Sequence, residues 1–162
     1  MVIALMGAAG AGKTTVGRLL SQELGWAFLD GDSVHPSENI AKMSHGMPLT
    51  EDDRRPWLEA LRKWVLRCVD EHIDAVLACS LLTQRYRAVV LAGDRAQIKL
   101  AYLQAPRALL GERLAHRTGH FAGIALLDSQ LVLLDPPADA LILDATQTPQ
   151  QLVHIIRSTW HL

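Results

Sequence analysis

The strongest constraint on this chain is a short stretch near its start, Gly7-Ala8-Ala9-Gly10-Ala11-Gly12-Lys13-Thr14, which fits G-x-x-x-x-G-K-[ST] at every fixed position. An apolar run, Val2–Met6, leads into it. Helical spacing of Val16, Leu19, Leu20 and Leu24 follows and is closed by Gly25. Strand, glycine-rich loop and helix in that order are what phosphate binding by backbone amides requires. Glycines let successive N–H groups curl around phosphate oxygens, and the helix N-terminus adds positive potential. Lys13 is expected at the β- and γ-phosphates and the Thr14 hydroxyl on Mg²⁺. The stretch implies a nucleoside triphosphate as ligand.

Beyond the loop, apolar strand-like runs at Ala27–Leu29, Ala75–Cys79, Ile98–Leu103 and Ala140–Leu143 alternate with helical segments. The helices are expected near Thr50–Glu71, Gln84–Leu91, Pro106–His116 and Pro149–Thr159. Thr50 reads as an N-cap with Asp52 and Asp53 in the first turn, and Trp57, Leu61, Trp64, Val65 and Cys68 mark one buried face. Because the strand runs do not alternate polar-out, the pattern predicts an α/β fold of three layers around a parallel five-stranded sheet. With 162 residues and neither repeat nor linker, a single domain over 1–162 is expected. Such sheets bind ligands at the carboxyl ends of their strands. That directs attention to Gly7–Thr14, Asp30–Asp32, Ser80 and the loops near Arg117 and Asp144.

Composition removes several classes. Sixteen Lys+Arg against seventeen Asp+Glu leave a net charge of −1, so no nucleic-acid partner is expected, and any anion must be held by local placement. The longest apolar run, Met1–Met6, is far short of the ~20 residues a membrane span needs. Cys68 and Cys79 read as buried, reduced thiols, and a soluble cytoplasmic protein is expected. A GTPase should carry N-K-x-D, but the only asparagine, Asn39, precedes Ile40. The third strand run ends in Cys79-Ser80 with no acid, unlike a mechanical ATPase. A small phosphotransferase remains.

Transfer to an alcohol needs an in-line hydroxyl and a group to take its proton. Asp30-Gly31-Asp32 closes the second strand run, and glycine between the acids is read as a turn that lets both face the loop. Asp30 is assigned to Mg²⁺ and Asp32 to the acceptor proton. Downstream, His35, Asn39 and Lys42 share one face at helical spacing. Imidazole, amide and ammonium together suit a polyhydroxylated anion better than a nucleobase.

Four segments, LMGAAGAGKTT, FLDGDSVHPSENIAKMSHGMPLTEDDRRPWL, CSLLTQRYR and RTGHFAGIALLDSQ, together resemble the gluconate kinases, also called thermoresistant gluconokinases, from residue 3 to about 137. The resemblance implies the fold of shikimate and nucleoside-monophosphate kinases. It implies conversion of ATP and D-gluconate to 6-phospho-D-gluconate and ADP by a cytoplasmic, often dimeric enzyme. It puts the ATP phosphates on Gly7–Thr14 with Thr15, and the acceptor hydroxyl near Asp32 within an acceptor segment of about 32–58. The sugar acid would lie among His35, Asn39, Lys42 and Arg54, with Arg85, Tyr86 or Arg87 closing the site. Arg113 and Arg117 would belong to a lid of about 113–127 whose arginines meet phosphate. Three positions depart from the family pattern. C-S-A-L-K becomes Cys79-Ser80-Leu81-Leu82-Thr83, a lid lysine is Thr118, and S-Q-F-x-x-L-E-x-P becomes Ser129-Gln130-Leu131-Val132-Leu133-Leu134-Asp135-Pro136-Pro137. The alternatives are the same fold acting on another aldonate or a shikimate-like alcohol, or a catalytically weak ATP-binding regulator.

Overall fold

Val2–Met6 forms β1, buried at every position because helices cover both of its faces. The chain then runs through α1 (Lys13–Leu24), β2 (Ala27–Asp30), a 3-10 turn (Gly31–Val34), α2 (Ser37–Ser44) and α3 (Glu51–Asp70). β3 (Ala75–Ala78), α4 (Gln84–Val90), β4 (Ile98–Gln104), α5 (Arg107–Ala115), α6 (Gly123–Leu133), β5 (Leu141–Asp144) and α7 (Pro149–Trp160) complete it. This computed structural model describes residues 1–45, 47–93, 96–116 and 123–162.

The five strands lie in the order β2-β3-β1-β4-β5, every pair parallel. Side-chain alternation along β1 divides the core. Ile3 and Leu5 meet Val16 and Leu20 of α1, Leu110 of α5 and Leu152 and Ile156 of α7. Val2, Ala4 and Met6 meet Trp57, Leu61 and Val65 of α3 and Tyr86 and Val90 of α4. The result is the three-layer α/β fold expected from the sequence.

Register decides where chemistry can occur. Pairing Leu5 with Ala78 and Asp30 with Ala78 brings the phosphate loop, the acidic turn and Cys79-Ser80 to one edge of the sheet. Thr50 caps α3 in a reciprocal box, its hydroxyl accepting from the Asp53 N–H and Asp53 accepting from the Thr50 N–H. Trp64 is only half-buried, so the buried stripe of α3 is narrower than its spacing suggests. Pro56 is the sixth helical residue, one position beyond the first turn and a half, and costs α3 a single intrahelical hydrogen bond. Sequence periodicity gave no sign of α6. Its apolar residues fall all round the helix, so no 3.6-residue stripe marks it.

Candidate active site

Gly10 sits in left-handed backbone with φ 82°, and a Cβ there would lie 2.7 Å from the Leu110 carbonyl oxygen. Only glycine lets the loop tuck against α5 in this way. The loop opens into a cleft of about 460 Å³ lined by Ala9–Val16 on one wall and Asp30, Asp32 and Ser80 at one end. Ala145, Gln147 and Pro149 lie at the other end, with Arg113, Leu114, Leu126 and Gln130 above. Two residues expected at the phosphates lie beneath this cradle. The Gly7 N–H donates to the Ser80 carbonyl at 3.3 Å, and Ala8 is buried, its carbonyl accepting from Lys13 Nζ at 3.0 Å. Arg113 lines the cleft, but its guanidinium donates to the carbonyls of Ala145 at 2.9 Å and Gly10 at 3.5 Å, on the far side from Asp32. Arg117 lies outside the described residues.

At the acidic end, the Thr14 hydroxyl donates to Asp30 Oδ2 at 2.8 Å, and the Asp32 N–H donates to Asp30 Oδ1 at 3.2 Å. A hydroxyl and a carboxylate from different elements therefore share one spot, with Asp32 one step farther out. Gly31 is required for a reason other than turn geometry, since its φ is not positive. A Cβ on it would meet Cys79 Cβ at 2.9 Å and Sγ at 3.0 Å. The acidic turn lies directly on the end of β3. Burial pushes the Cys79 thiol up to about 12, with the Asp32 charge adding to the shift, so it stays a neutral packing group. The Trp57 indole N–H donates to the Gly31 carbonyl at 2.8 Å, and its ring stacks on His35 at 4.4 Å with an 8° interplanar angle.

The face formed by His35, Asn39 and Lys42 exists, but it turns against α3. Asn39 is buried, and its amide nitrogen donates to the Asp53 carbonyl at 2.7 Å and approaches His35 Nδ1 at 3.4 Å. Lys42 Nζ donates to both Asp53 oxygens at 2.7 and 2.8 Å. That ammonium, with Thr50 after it, holds the Asp53 carboxyl down at about 2. In this structure the Asn39 amide is thus engaged with α3, and the Lys42 ammonium is paired with Asp53. Arg87 lies apart from this face. Its guanidinium donates to the Leu81 and Leu82 carbonyls, both at 3.1 Å, pairs with Asp135 at 3.6 Å, and lines a different groove.

Arg54 differs from these. It sits 6.0 Å from the Tyr86 ring centroid and reaches Glu51 only at 3.4 Å. Glu51 also accepts from the Tyr86 hydroxyl at 2.7 Å and pairs with Arg85 at 3.2 Å. From the sequence alone, Glu51 is not a named site residue, Trp57 reads only as part of a buried face, and Gln130 is likewise not a named site residue. Their contacts span 35, 26 and 121 residues of chain, and no local pattern carries such a signal.

A phosphate cradle at the carboxyl edge of a parallel sheet, faced by two carboxylates and a polar acceptor segment, defines a P-loop kinase for a small acceptor. Residues 9–129 match the shikimate kinase family model. The chain is 43% identical to the gluconokinase of Gluconobacter oxydans over 137 residues, covering 85% of this chain and 76% of that protein. It is 35% identical to the thermoresistant gluconokinase of Escherichia coli over 156 residues, covering 94% and 89%. A solved gluconokinase from Sinorhizobium meliloti superposes with a TM-score of 0.85 at 34% identity, covering 99% of this chain and 91% of that one. This chain belongs to the gluconokinase family.

One consequence concerns pH. Burial lowers the His35 pKa below its ordinary 6.5, Arg54 adding to the effect and Asp32 opposing it. The unfolded chain therefore takes a proton more readily than the folded one, and stability falls as pH drops below 6.5. Denaturant melts from pH 7.5 to 5.5, as chosen test conditions, should slope less in His35→Gln than in the wild type. An NMR titration should place the His35 midpoint below 6.5, and a midpoint above that value contradicts this account.

Proposed function

We propose that this protein transfers the γ-phosphoryl group of ATP to D-gluconate, giving 6-phospho-D-gluconate and ADP in the cytoplasm. The observation that carries the reading is that Lys13, Thr14, Asp30, Asp32 and Ser80 all line one cleft. The named activity of its relatives supports the choice of acceptor. The single domain spans 1–162, with an acceptor segment near 32–58 and a lid near 113–127. Among the described residues no helix is long and apolar enough to cross a membrane.

The Thr14 and Asp30 oxygens fit Mg²⁺, a hard cation held in such sites by few protein oxygens together with phosphates and water. When bound, Mg²⁺ neutralises charge on the phosphates. In the transfer step, Asp32 accepts the proton of the gluconate hydroxyl while that oxygen bonds to the γ-phosphorus. The bond to ADP breaks, and ADP departs with the electron pair. Lys13 and the amides of Gly10–Thr14 hold the phosphates in line throughout. Arg54, lightly held and backed by Tyr86, is the cation we assign to the substrate carboxylate, with His35 beside it. Lys42 adds little, since Asp53 already cancels its charge.

ADP release coupled to a reporter, measured with gluconate, other aldonates, shikimate and AMP, tests this directly. Gluconate should stimulate it far above the others, and stimulation by shikimate or AMP alone would remove the reading. Arg54→Met should raise the gluconate KM about ten- to a hundredfold while sparing ATP, the worth of one charge-assisted pair. An equal loss with an uncharged polyol shows that Arg54 does not read the carboxylate.

The two aspartates separate by metal titration. Asp32→Asn keeps its shape but loses the proton acceptor, so kcat should fall about 10²–10⁴-fold with ATP binding intact. Asp30→Asn should instead show a defect partly relieved by high Mg²⁺. Metal rescue of Asp32→Asn, with none for Asp30→Asn, reverses the assignment.

A further inference from the structure

Gln130, on α6, lines the phosphate cleft from a helix whose other contribution to it is the apolar Leu126. Its amide oxygen accepts the Ala9 N–H at 2.6 Å. A backbone N–H can only donate, so the carboxamide is fixed with its oxygen on the loop and its nitrogen turned away. That nitrogen makes no hydrogen bond among the described residues, and it is not among the buried atoms left without a partner. Gln130 itself is half-buried and lines the cleft.

The peptide unit that Gln130 holds is shared with Lys13. Lys13 Nζ rests on the Ala8 carbonyl at 3.0 Å, while Gln130 holds the N–H of Ala9. Ammonium and carboxamide thus hold the two opposite edges of one peptide unit, Ala8–Ala9, and the lysine of such a loop serves the β- and γ-phosphates. Gln130 removes one amide donor from the cradle and returns two N–H groups farther out, on a neutral side chain that needs no counter-ion. We infer that Gln130 is a nucleotide-binding residue whose amide nitrogen donates to the terminal phosphoryl oxygen of ATP. A second copy of the interaction cannot come from ADP, which lacks that group. The inference rests on the reading of Ala9–Thr15 as the phosphate site.

Two substitutions separate this role from a clamp on the loop. Gln130→Glu keeps the acceptor for the Ala9 N–H and loses the donor, whereas Gln130→Leu loses both. Binding of a non-hydrolysable ATP analogue and of ADP is measured by calorimetry on the full chain, with thermal melts alongside. Both variants should bind the analogue at least about tenfold more weakly than the wild type, with ADP affinity changed by less than about threefold. Gln130→Glu should melt with the wild type. If Gln130→Glu binds the analogue normally and only Gln130→Leu is impaired, the glutamine is a clamp and the inference fails. It also fails if both variants lose analogue and ADP equally. A wild-type chain that binds neither nucleotide overturns the phosphate site itself, and this inference with it.

Discussion

Between β1 and β3 the crossovers part company. β1 leads through α1 to β2, on the far side of β3, whereas β3 leads through α4 to β4, on the far side of β1. The loops leaving these neighbours diverge, and a crevice opens at their carboxyl ends. Everything chemical in the molecule depends on that parting. Because all pairs are parallel and nearly level, Gly7, Asp30 and Cys79-Ser80 emerge at the same height. Thr14 at the start of α1 can then reach Asp30 at the end of β2, although a whole strand separates β1 from β2. A slip of one residue in β2 would turn Asp30 to the other face and break this contact.

The acidic turn is held from below and from the side. Cys79 supports Gly31 from beneath, and Trp57 grips the Gly31 carbonyl while stacking on His35. Both partners are almost fully buried, so the turn has little room to relax. Asp32, which follows Gly31, inherits that rigidity. The acceptor segment is held differently, by charge. Asp53 caps α3 with one interaction and neutralises Lys42 with another, and Glu51 gathers Tyr86, Arg85 and Arg54. Glu51 is about half exposed and such pairs are weak, so the arginines it holds remain available to a stronger anion.

The fold was legible because its signals are local. Apolar runs, the Thr50 cap and the glycine-rich loop each sit within a few residues of the structure they specify. The phosphate loop, Asp30 and Asp32 were legible for the same reason. The strand order, β2-β3-β1-β4-β5, was not among the sequence expectations, because right-handed parallel crossovers are compatible with more than one order. What else escaped is set by distance along the chain or by competition between neighbours. The spacing of His35, Asn39 and Lys42 does define a face, but nothing local says that α3 will cover it and that Asp53 will claim the ammonium. The importance of Gly31 was visible and its cause was not, since Cys79 arrives from a strand 48 positions later in the sequence. Helix α6 carries no amphipathic stripe, and its polar ties are long-range, Gln130 to the loop and Asp128 to Arg107.

The loop after β3 bears on acceptor identity, because there the chain departs from the pattern of its family. Leu81 is fully buried in the α3–α4 layer in left-handed backbone with φ 45°, and Leu82 is buried beside it. Carbonyls on both sides of that strained residue are tied. Ser80 accepts from Gly7, Leu81 and Leu82 accept from Arg87, and Leu82 also accepts from the Asp135 N–H. The bulk added at Leu81 therefore goes into the core. Of Ser80, Leu81, Leu82 and Thr83, only Ser80 lines the cleft. Thr83 caps α4 by accepting the Tyr86 N–H, a task a lysine cannot perform because its ammonium has no lone pair to offer. Thr83 thereby gives α4 a capped N-terminus. That helix carries Tyr86, whose ring centroid lies 6.0 Å from the Arg54 guanidinium, so the cap at Thr83 and the surroundings of Arg54 are linked through one short helix.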